Sequence, residues 1–266
     1  NWKAGNATLG TGDFTQGSIA STCSRNAAAG FSIVSYTGNA TSGATVGHGL
    51  SSQPEMIIVK KRSGGTAYGW GVWHTGLSNN NGSKQLRLDL TNAELSEDMF
   101  NNAIFPSNSS TVFAVGSNNH TNYPNGATYI AYCFHSVTGY SKIGSFTGNG
   151  SADGPEVTLG FAPAFVLIKS SSQTDDWTIY DNTRQPSFQS ARGIFYANKT
   201  DAEDVSNSTW FTLGSNSFKW NRTGGGFNVS GQTYIYMAFA DKREYAYWLD
   251  QSGNNNDWTS NNLTES

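Results

Sequence analysis

One strand-like phrase occurs twice in the chain and constrains its fold more than any other feature. Residues 125–134 read NGATYIAYCF, and residues 230–239 read SGQTYIYMAF. Four further pairs of phrases recur in the same order with nearly constant spacing: 30–39 with 139–149, 54–60 with 163–169, 70–74 with 177–181, and 91–94 with 200–203. Such self-similarity predicts a tandem duplication, with two copies of a domain of roughly 105 residues.

The repeat divides the chain into four parts. We expect an extended N-terminal segment at 1–29, a first repeat at 30–137, a second repeat at 138–241, and a C-terminal strand with a polar linker at 242–266. The chain begins with Asn1 and has neither an initiator methionine nor the charged and apolar regions of a signal peptide. We therefore expect a fragment or a processed product.

Short apolar runs in both copies predict strands. The runs MIIV at 56–59 and FVLI at 165–168 closely follow a proline, which favours strands buried on both faces. The repeated phrase at 125–134 also carries apolar groups on both faces, which predicts a central strand in each copy. The fold class predicted is all-β: two tandem β-sandwich-like domains related by internal duplication.

Two local features are expected within this pattern. A short helix around Ala93 to Phe100 is the only helix that the sequence favours. The second copy has one extra residue near Gly144, which predicts a β-bulge there.

Charge and hydropathy argue against two classes of partner. Charged residues make up 13% of the chain, the net charge is −3, and the basic residues form no stripe that could follow a nucleic acid backbone. No apolar run reaches the roughly 18 residues of a membrane-spanning helix. We expect neither nucleic acid binding nor membrane insertion.

The sequence offers no metal or cofactor site. The histidines lack the spacing of metal ligands and are expected in turns or at the surface: His48, His74, His120 and His135. Cys133 is expected to be a small buried side chain, and its pairing with Cys23 stays open.

No catalytic residue set is recognisable either. The chain lacks the motifs of serine hydrolases, zinc proteases and P-loop proteins. A glycosidase would need two carboxylates flanking a sugar, and the candidates beside Trp177 are Asp175, Asp176 and Asp181. Because Trp70 occupies the equivalent place in the first copy, core packing of Trp177 is the preferred interpretation. We expect a non-enzymatic protein.

Aromatic residues in polar, glycine-rich surroundings are the candidates for binding. Rings stack on sugars or on protein partners, and neighbouring amides supply hydrogen bonds. The residues predicted to bind a glycan or a partner are Tyr68, Trp73, Tyr123, Trp177, Tyr180, Trp210 and Trp220.

Several longer phrases resemble a tandem-repeat domain family of tailed-phage virion structural proteins, especially tail-fibre-like proteins of marine phages. The phrases are AGFSIVSYTGN, ATVGHGLSSQPEMIIVKKR, GATYIAYCFHSVTGYSKIGSFTGNG and QTYIYMAFA, with WKAG near the start and SGNNNDWTSNNLT near the end. The resemblance covers nearly the whole chain and brings no catalytic residues with it.

The resemblance implies a virion component that faces the medium. It also implies contacts with other virion proteins, a homo-oligomer with a trimer favoured, and attachment to host-surface polysaccharide. Two alternatives stay open: a purely architectural virion protein, such as a capsid decoration or fibre shaft, and a polysaccharide depolymerase.

Overall fold

The computed structural model describes residues 4–5, 8–107, 109–182, 193–203, 210–224 and 226–240. These residues form eighteen β-strands and one 3-10 turn at Ala27–Ala29, so the all-β prediction is confirmed. Within them, no helix has the length and apolar character needed to cross a membrane. The segment predicted at 242–266 lies outside the described residues.

The first half of the described chain forms a large sheet and a separate strand pair. Its strands are β1 (Thr8–Leu9), β2 (Ser21–Asn26), β3 (Phe31–Thr37), β4 (Ala44–Gly47), β5 (Met56–Lys61), β6 (Gly71–His74), β7 (Lys84–Arg87), β8 (Leu95–Ser96), β9 (Val112–Val115) and β10 (Thr128–Phe134). The large sheet has the order β1-β2-β3-β10-β5-β6-β7-β8, and β4 pairs with β9.

The second half forms a five-stranded and a three-stranded sheet. Its strands are β11 (Ser141–Thr147), β12 (Glu156–Thr158), β13 (Pro163–Ser170), β14 (Thr178–Asp181), β15 (Phe195–Tyr196), β16 (Phe211–Leu213), β17 (Ser217–Trp220) and β18 (Thr233–Ala240). The sheet orders are β11-β18-β13-β14-β15 and β12-β17-β16.

The two large sheets share one strand order. The sequence β3-β10-β5-β6-β7 in the first half corresponds strand by strand to β11-β18-β13-β14-β15 in the second, as a tandem repeat predicts. The repeated phrase forms β10 and β18, and each lies between two other strands, so its predicted central position is confirmed. Met56, Ile57, Ile58 and Val59 are all buried, as expected for a strand covered on both faces.

The sheets stack in four layers. The β4–β9 pair covers one face of the first large sheet, where Tyr36 packs on Phe113 with ring centroids 6.5 Å apart. The sheet of β12, β17 and β16 covers the second large sheet, where Phe146 packs on Phe218 at 5.8 Å. Each half is therefore a sandwich with its own outer layer.

The inner faces of the two large sheets pack against each other. Leu167 and Met237 of the second half belong to the same buried core as the first-half residues, and Phe134 meets Phe239 with centroids 6.2 Å apart. His74 Nε2 donates to the Tyr236 carbonyl at 3.2 Å. The halves thus share apolar burial and directional hydrogen bonds.

The same asparagine pair closes a turn in each half. The Asn122 side chain accepts from the Asn39 backbone N–H at 2.8 Å and donates to the Asn39 side-chain oxygen at 3.1 Å. Asn228 and Asn149 repeat both bonds at 2.9 and 2.7 Å. Asn122 and Asn228 are fully buried, so each amide replaces the water that its turn has lost.

Both local expectations are wrong. The segment 93–100 contains β8 and no helix, because Glu94 donates its N–H to the Ser171 carbonyl and thereby bonds across the junction instead of locally. No bulge occurs at Gly144: β11 pairs with β18 in unbroken register, and the register shift lies in β13 between Pro163 and Phe165. The extra residue therefore lies before β11.

The two cysteines are buried and unpaired. They lie on β2 and β10, with β3 between them. Two strand spacings amount to about 9.5 Å, which exceeds the Cα separation of about 7 Å that a disulfide can bridge. The buried position predicted for Cys133 is confirmed, and the sheet geometry excludes its pairing with Cys23.

Candidate functional site

A polar groove opens at one end of the first half, between the start of β5 and the end of β6. Its volume is about 410 Å³, within the usual range for small-ligand sites. We call it the Trp73 groove; its lining includes Gln53, Glu55, Trp73, Asn80, Asn81 and Phe105. A second hollow of about 490 Å³ shares Gln53 and Phe105 and extends the groove over a serine-rich surface.

Trp73 is placed by the pairing of β6 with β5. It lies opposite Ile57, which puts its ring on the sheet face that β4 and β9 cover. The side chain is 2% exposed and meets the half-buried Phe105 edge to face, with centroids 5.3 Å apart. Among the described residues the buried indole N–H has no hydrogen-bond partner, which is uncommon for a native core.

Glu55 is held rigidly at the floor of the groove. Its backbone N–H donates to the Phe134 carbonyl at 2.7 Å, and its carbonyl accepts from the Thr75 N–H at 2.9 Å. Its Oε2 accepts from the Ser136 N–H. The carboxylate is thus oriented before any ligand arrives, and its second oxygen has no partner among the described residues.

The loop that carries Phe105 is anchored on both sides. The Ile104 N–H donates to the Asn81 carbonyl, and the Ile104 carbonyl accepts from the Ala114 N–H, each at 2.7 Å. Ile104 is 2% exposed and fixes the loop in the core. Phe105 therefore forms a preformed aromatic wall beside Asn81.

This arrangement suits a ligand with one apolar face and many hydroxyl groups. Sugar rings have that character: a face of C–H groups that packs on an aromatic ring, and an edge that exchanges hydrogen bonds with amides and carboxylates. Phe105 supplies the ring, Gln53, Asn80 and Asn81 supply amides, and Glu55 supplies an acceptor.

Three of the predicted binding residues belong to the core. Trp177, Tyr180 and Trp220 are at most 3% exposed. The Trp177 indole donates to the Arg87 carbonyl at 2.7 Å across the junction, and Trp220 donates to the Tyr180 hydroxyl at 3.2 Å. These side chains do not form a binding surface, because the opposing layers cover them.

The other predicted aromatics lie apart from the groove. Tyr68 is half-buried at the opposite end of the first sheet, edge to face with His120 at 5.0 Å. Tyr123 is 48% exposed. Trp210 is half-buried under the Arg222 guanidinium, 3.1 Å from the ring centroid. Of the seven predicted residues, only Trp73 lines the groove.

The structure buries all four histidines. The expectation of a turn or surface position is wrong for His74, which lies in β6, whereas His120 does lie in a turn. His48 donates to the Ser110 carbonyl at 2.9 Å and accepts from the Leu50 N–H. Complete burial lowers the pKa of His74 to about 4. No group of three histidine, cysteine or acidic side chains in the described part of the chain could hold a metal ion.

A partly buried charge cluster joins β7 to the loop at His120. Arg87 forms an ion pair with Glu97 at 2.6 Å and donates to His120 Nδ1 at 2.7 Å. Burial, and then the Arg87 charge, lower the pKa of His120 to about 4. The cluster lies outside the residues that line the groove and acts as a structural clamp.

The carboxylates considered for a glycosidase do not share a sugar-sized cleft. Asp175 and Asp176 border an internal void of about 10 Å³, which holds no more than a water molecule. Asp176 is paired with Lys199 at 2.6 Å, and burial raises the pKa of Asp175. Asp181 lies on β14 opposite Phe165.

The family model that matches the chain covers residues 1–243 and is described as a domain of unknown function, DUF7483. The chain belongs to this family. No curated protein and no solved structure matches it. The matched range contains β1 and β2 and both sandwiches, so the family unit comprises the two halves together.

Sequence reasoning missed most of the groove. Phe105, Asn80 and Asn81 lie in irregular loops with no motif to mark them. One signal was present: the aligned phrases PEMIIVK and PAFVLIK differ at Glu55 and Ala164, so a charged residue stands in only one copy of an otherwise apolar landmark.

Proposed function

We propose that this chain is a non-enzymatic structural protein of a phage virion, a tail-fibre or appendage component that contacts host-surface glycans through the Trp73 groove. The observation that carries the proposal is a preformed groove in which an aromatic wall, Phe105, faces amides and the fixed carboxylate of Glu55. Rigid aromatic and polar groups of this kind bind sugars without a large ordering cost.

The virion setting rests on the phrases that resemble tail-fibre-like phage proteins. It is consistent with an all-β chain of low charge that has two sandwiches in tandem. In this proposal the protein faces the medium and assembles with other virion proteins as a homo-oligomer, with a trimer favoured.

In this proposal, oligomerisation raises the avidity of the groove for a host surface. A shallow site that stacks one sugar ring binds weakly by itself, because few contacts offset the cost of association. Several chains in one appendage present several grooves to the same surface, and the effective concentration of the second binding event raises the avidity by orders of magnitude.

Binding without hydrolysis is the better supported activity. Glycoside hydrolysis commonly uses two carboxylates about 5–9 Å apart. Among the described residues that line the Trp73 groove, Glu55 is the one carboxylate. This supports a lectin-like role over a depolymerase.

The test is binding of the fluorescently labelled protein to intact host cells, with envelope sugars stripped as the control. Phe105→Ala is expected to reduce sugar-dependent labelling about fivefold to tenfold, because it removes the aromatic wall. Phe195→Ala, at an exposed ring of the second half, is the matched control and is expected to bind as the parent does.

Two outcomes contradict the proposal. If labelling persists after the sugars are stripped, or is absent on every host, the architectural alternative is favoured. If Tyr123→Ala abolishes labelling and Phe105→Ala leaves it unchanged, the contact lies at the opposite end of the first half.

A further inference from the structure

We propose that the Trp73 groove selects uncharged, hydroxyl-rich sugars and rejects acidic ones. This inference rests on the proposed function and names the ligand class of the same site. Among the described residues lining the groove and its extension, Glu55 is the one charged side chain. The other polar groups are the neutral amides and hydroxyls of glutamine, asparagine, threonine and serine.

Glu55 favours a ligand that donates hydrogen bonds. One carboxylate oxygen is occupied by the Ser136 N–H, and the other has no described protein partner. Hydroxyl groups of a neutral sugar donate to such an oxygen, and a bond to a charged acceptor is roughly twice as strong as a neutral one. The carboxylate is already oriented by the Ser136 N–H, and its backbone is held by Phe134 and Thr75.

The same carboxylate opposes a uronic or sialic acid. Sites for anionic ligands place Arg or Lys against the ligand charge, and none lines this groove among the described residues. A ligand carboxylate a few ångströms from Glu55 would be repelled, which we expect to weaken binding about tenfold or more.

The test uses two oligosaccharides with the same linkages, one built of neutral hexoses and one of the corresponding hexuronic acids. Calorimetric titration of the full chain is expected to give at least about tenfold tighter binding of the neutral compound. Glu55→Gln keeps an acceptor for the Ser136 N–H and removes the charge. We expect it to weaken neutral binding about threefold to tenfold and to bring the ratio of the two affinities close to one.

Asp153→Asn is the matched control, because it removes one negative charge from an exposed position of the second half. It is expected to leave the ratio unchanged. Equal or tighter binding of the acidic compound by the parent protein, or an unchanged ratio in Glu55→Gln, overturns the inference. If Phe105→Ala still weakens glycan binding about fivefold to tenfold, the proposed function stands. Failure of every glycan to bind overturns both.

Discussion

Trp73 in the first half and Tyr180 in the second occupy the same position in their sheets. Trp73 pairs with Ile57 and Tyr180 with Val166, and both rings point to the outer layer of their own sandwich. The Tyr180 ring is stacked on Phe211 at 3.7 Å, and its hydroxyl accepts from an indole. The Trp73 ring meets Phe105 edge to face beside a groove, and its N–H has no hydrogen-bond partner in the part of the chain that the structure describes.

The difference arises in the outer layer and not in the repeated sheet. In the second half, β16 supplies Phe211 from a third strand that pairs with β17. In the first half the outer layer is a strand pair, and the corresponding cover is the loop at Ile104 and Phe105. A loop leaves space beside the ring where a strand fills it. Two sheets with the same strand order can therefore differ in their cover, which leaves a groove beside the ring in the first half and a closed core in the second.

The largest expected effect tests whether the two sandwiches are equivalent in stability. Phe113 and Phe218 are buried outer-layer rings opposite Val46 and Val157. Alanine at either position is expected to lower the free energy of unfolding by about 3–5 kcal/mol, because each change leaves a large cavity. The measurement is urea denaturation followed by circular dichroism.

We expect one cooperative transition in both variants, because the large sheets share a core. Two transitions, with only one displaced by each substitution, would show that the halves unfold independently.

The next effect concerns a position at which the halves differ, His74 and Asp181. The folded pKa of His74 is about 4, below the usual 6.5. Between pH 6.5 and 4, His74 binds a proton in the unfolded chain but stays neutral in the folded one. The free energy of unfolding therefore falls by up to about 3 kcal/mol as the pH is lowered. Above pH 6.5 this group contributes no pH dependence.

His74→Gln is expected to remove that part of the slope, which unfolding measurements at pH 7.5 and 4.5 can detect. The slope that remains belongs to other groups, including His120. A variant with the parent's full slope would contradict the assignment to His74.

A smaller and symmetric effect is expected at the two asparagines. Asn122→Ala and Asn228→Ala each remove a buried amide from the same hydrogen-bond pattern. We expect losses of about 2–3 kcal/mol in each case, because the backbone groups left behind are buried without partners. Losses that differ by more than about 1.5 kcal/mol would show that the turns are not energetically equivalent. Thermal melts at one pH are sufficient.

The smallest stability effect is expected at Glu55. Glu55→Ala copies the second-half residue, Ala164, and removes the acceptor for the Ser136 N–H at a cost of about 1 kcal/mol. Glu55→Gln retains an acceptor and is expected to melt within about 0.5 kcal/mol of the parent. If both variants melt alike, the Ser136 bond contributes nothing to the fold.

The strands could be predicted from the sequence, and the residues of the groove could not. The apolar runs at 56–59 and 165–168 predict buried strands because side chains alternate along a strand and both faces of these strands must be covered. Glu55 and Phe105 line one groove only because the loop after β8 lies beside the start of β5, although the two residues are fifty positions apart in the chain.

The sequence by itself determined the all-β class and the central strands, because these depend on local patterns of apolar residues and turns. Only the tertiary structure decided which aromatic rings are buried away from solvent. The three tryptophans are buried in different places: Trp73 beside the loop at Phe105, Trp177 at the junction of the large sheets and Trp220 in the outer layer of the second half. Their burial depends on those layers, which are assembled from distant parts of the chain. The face-to-face packing of the sheets likewise buried His74, because a histidine becomes a core residue once another sheet supplies a backbone carbonyl for its N–H.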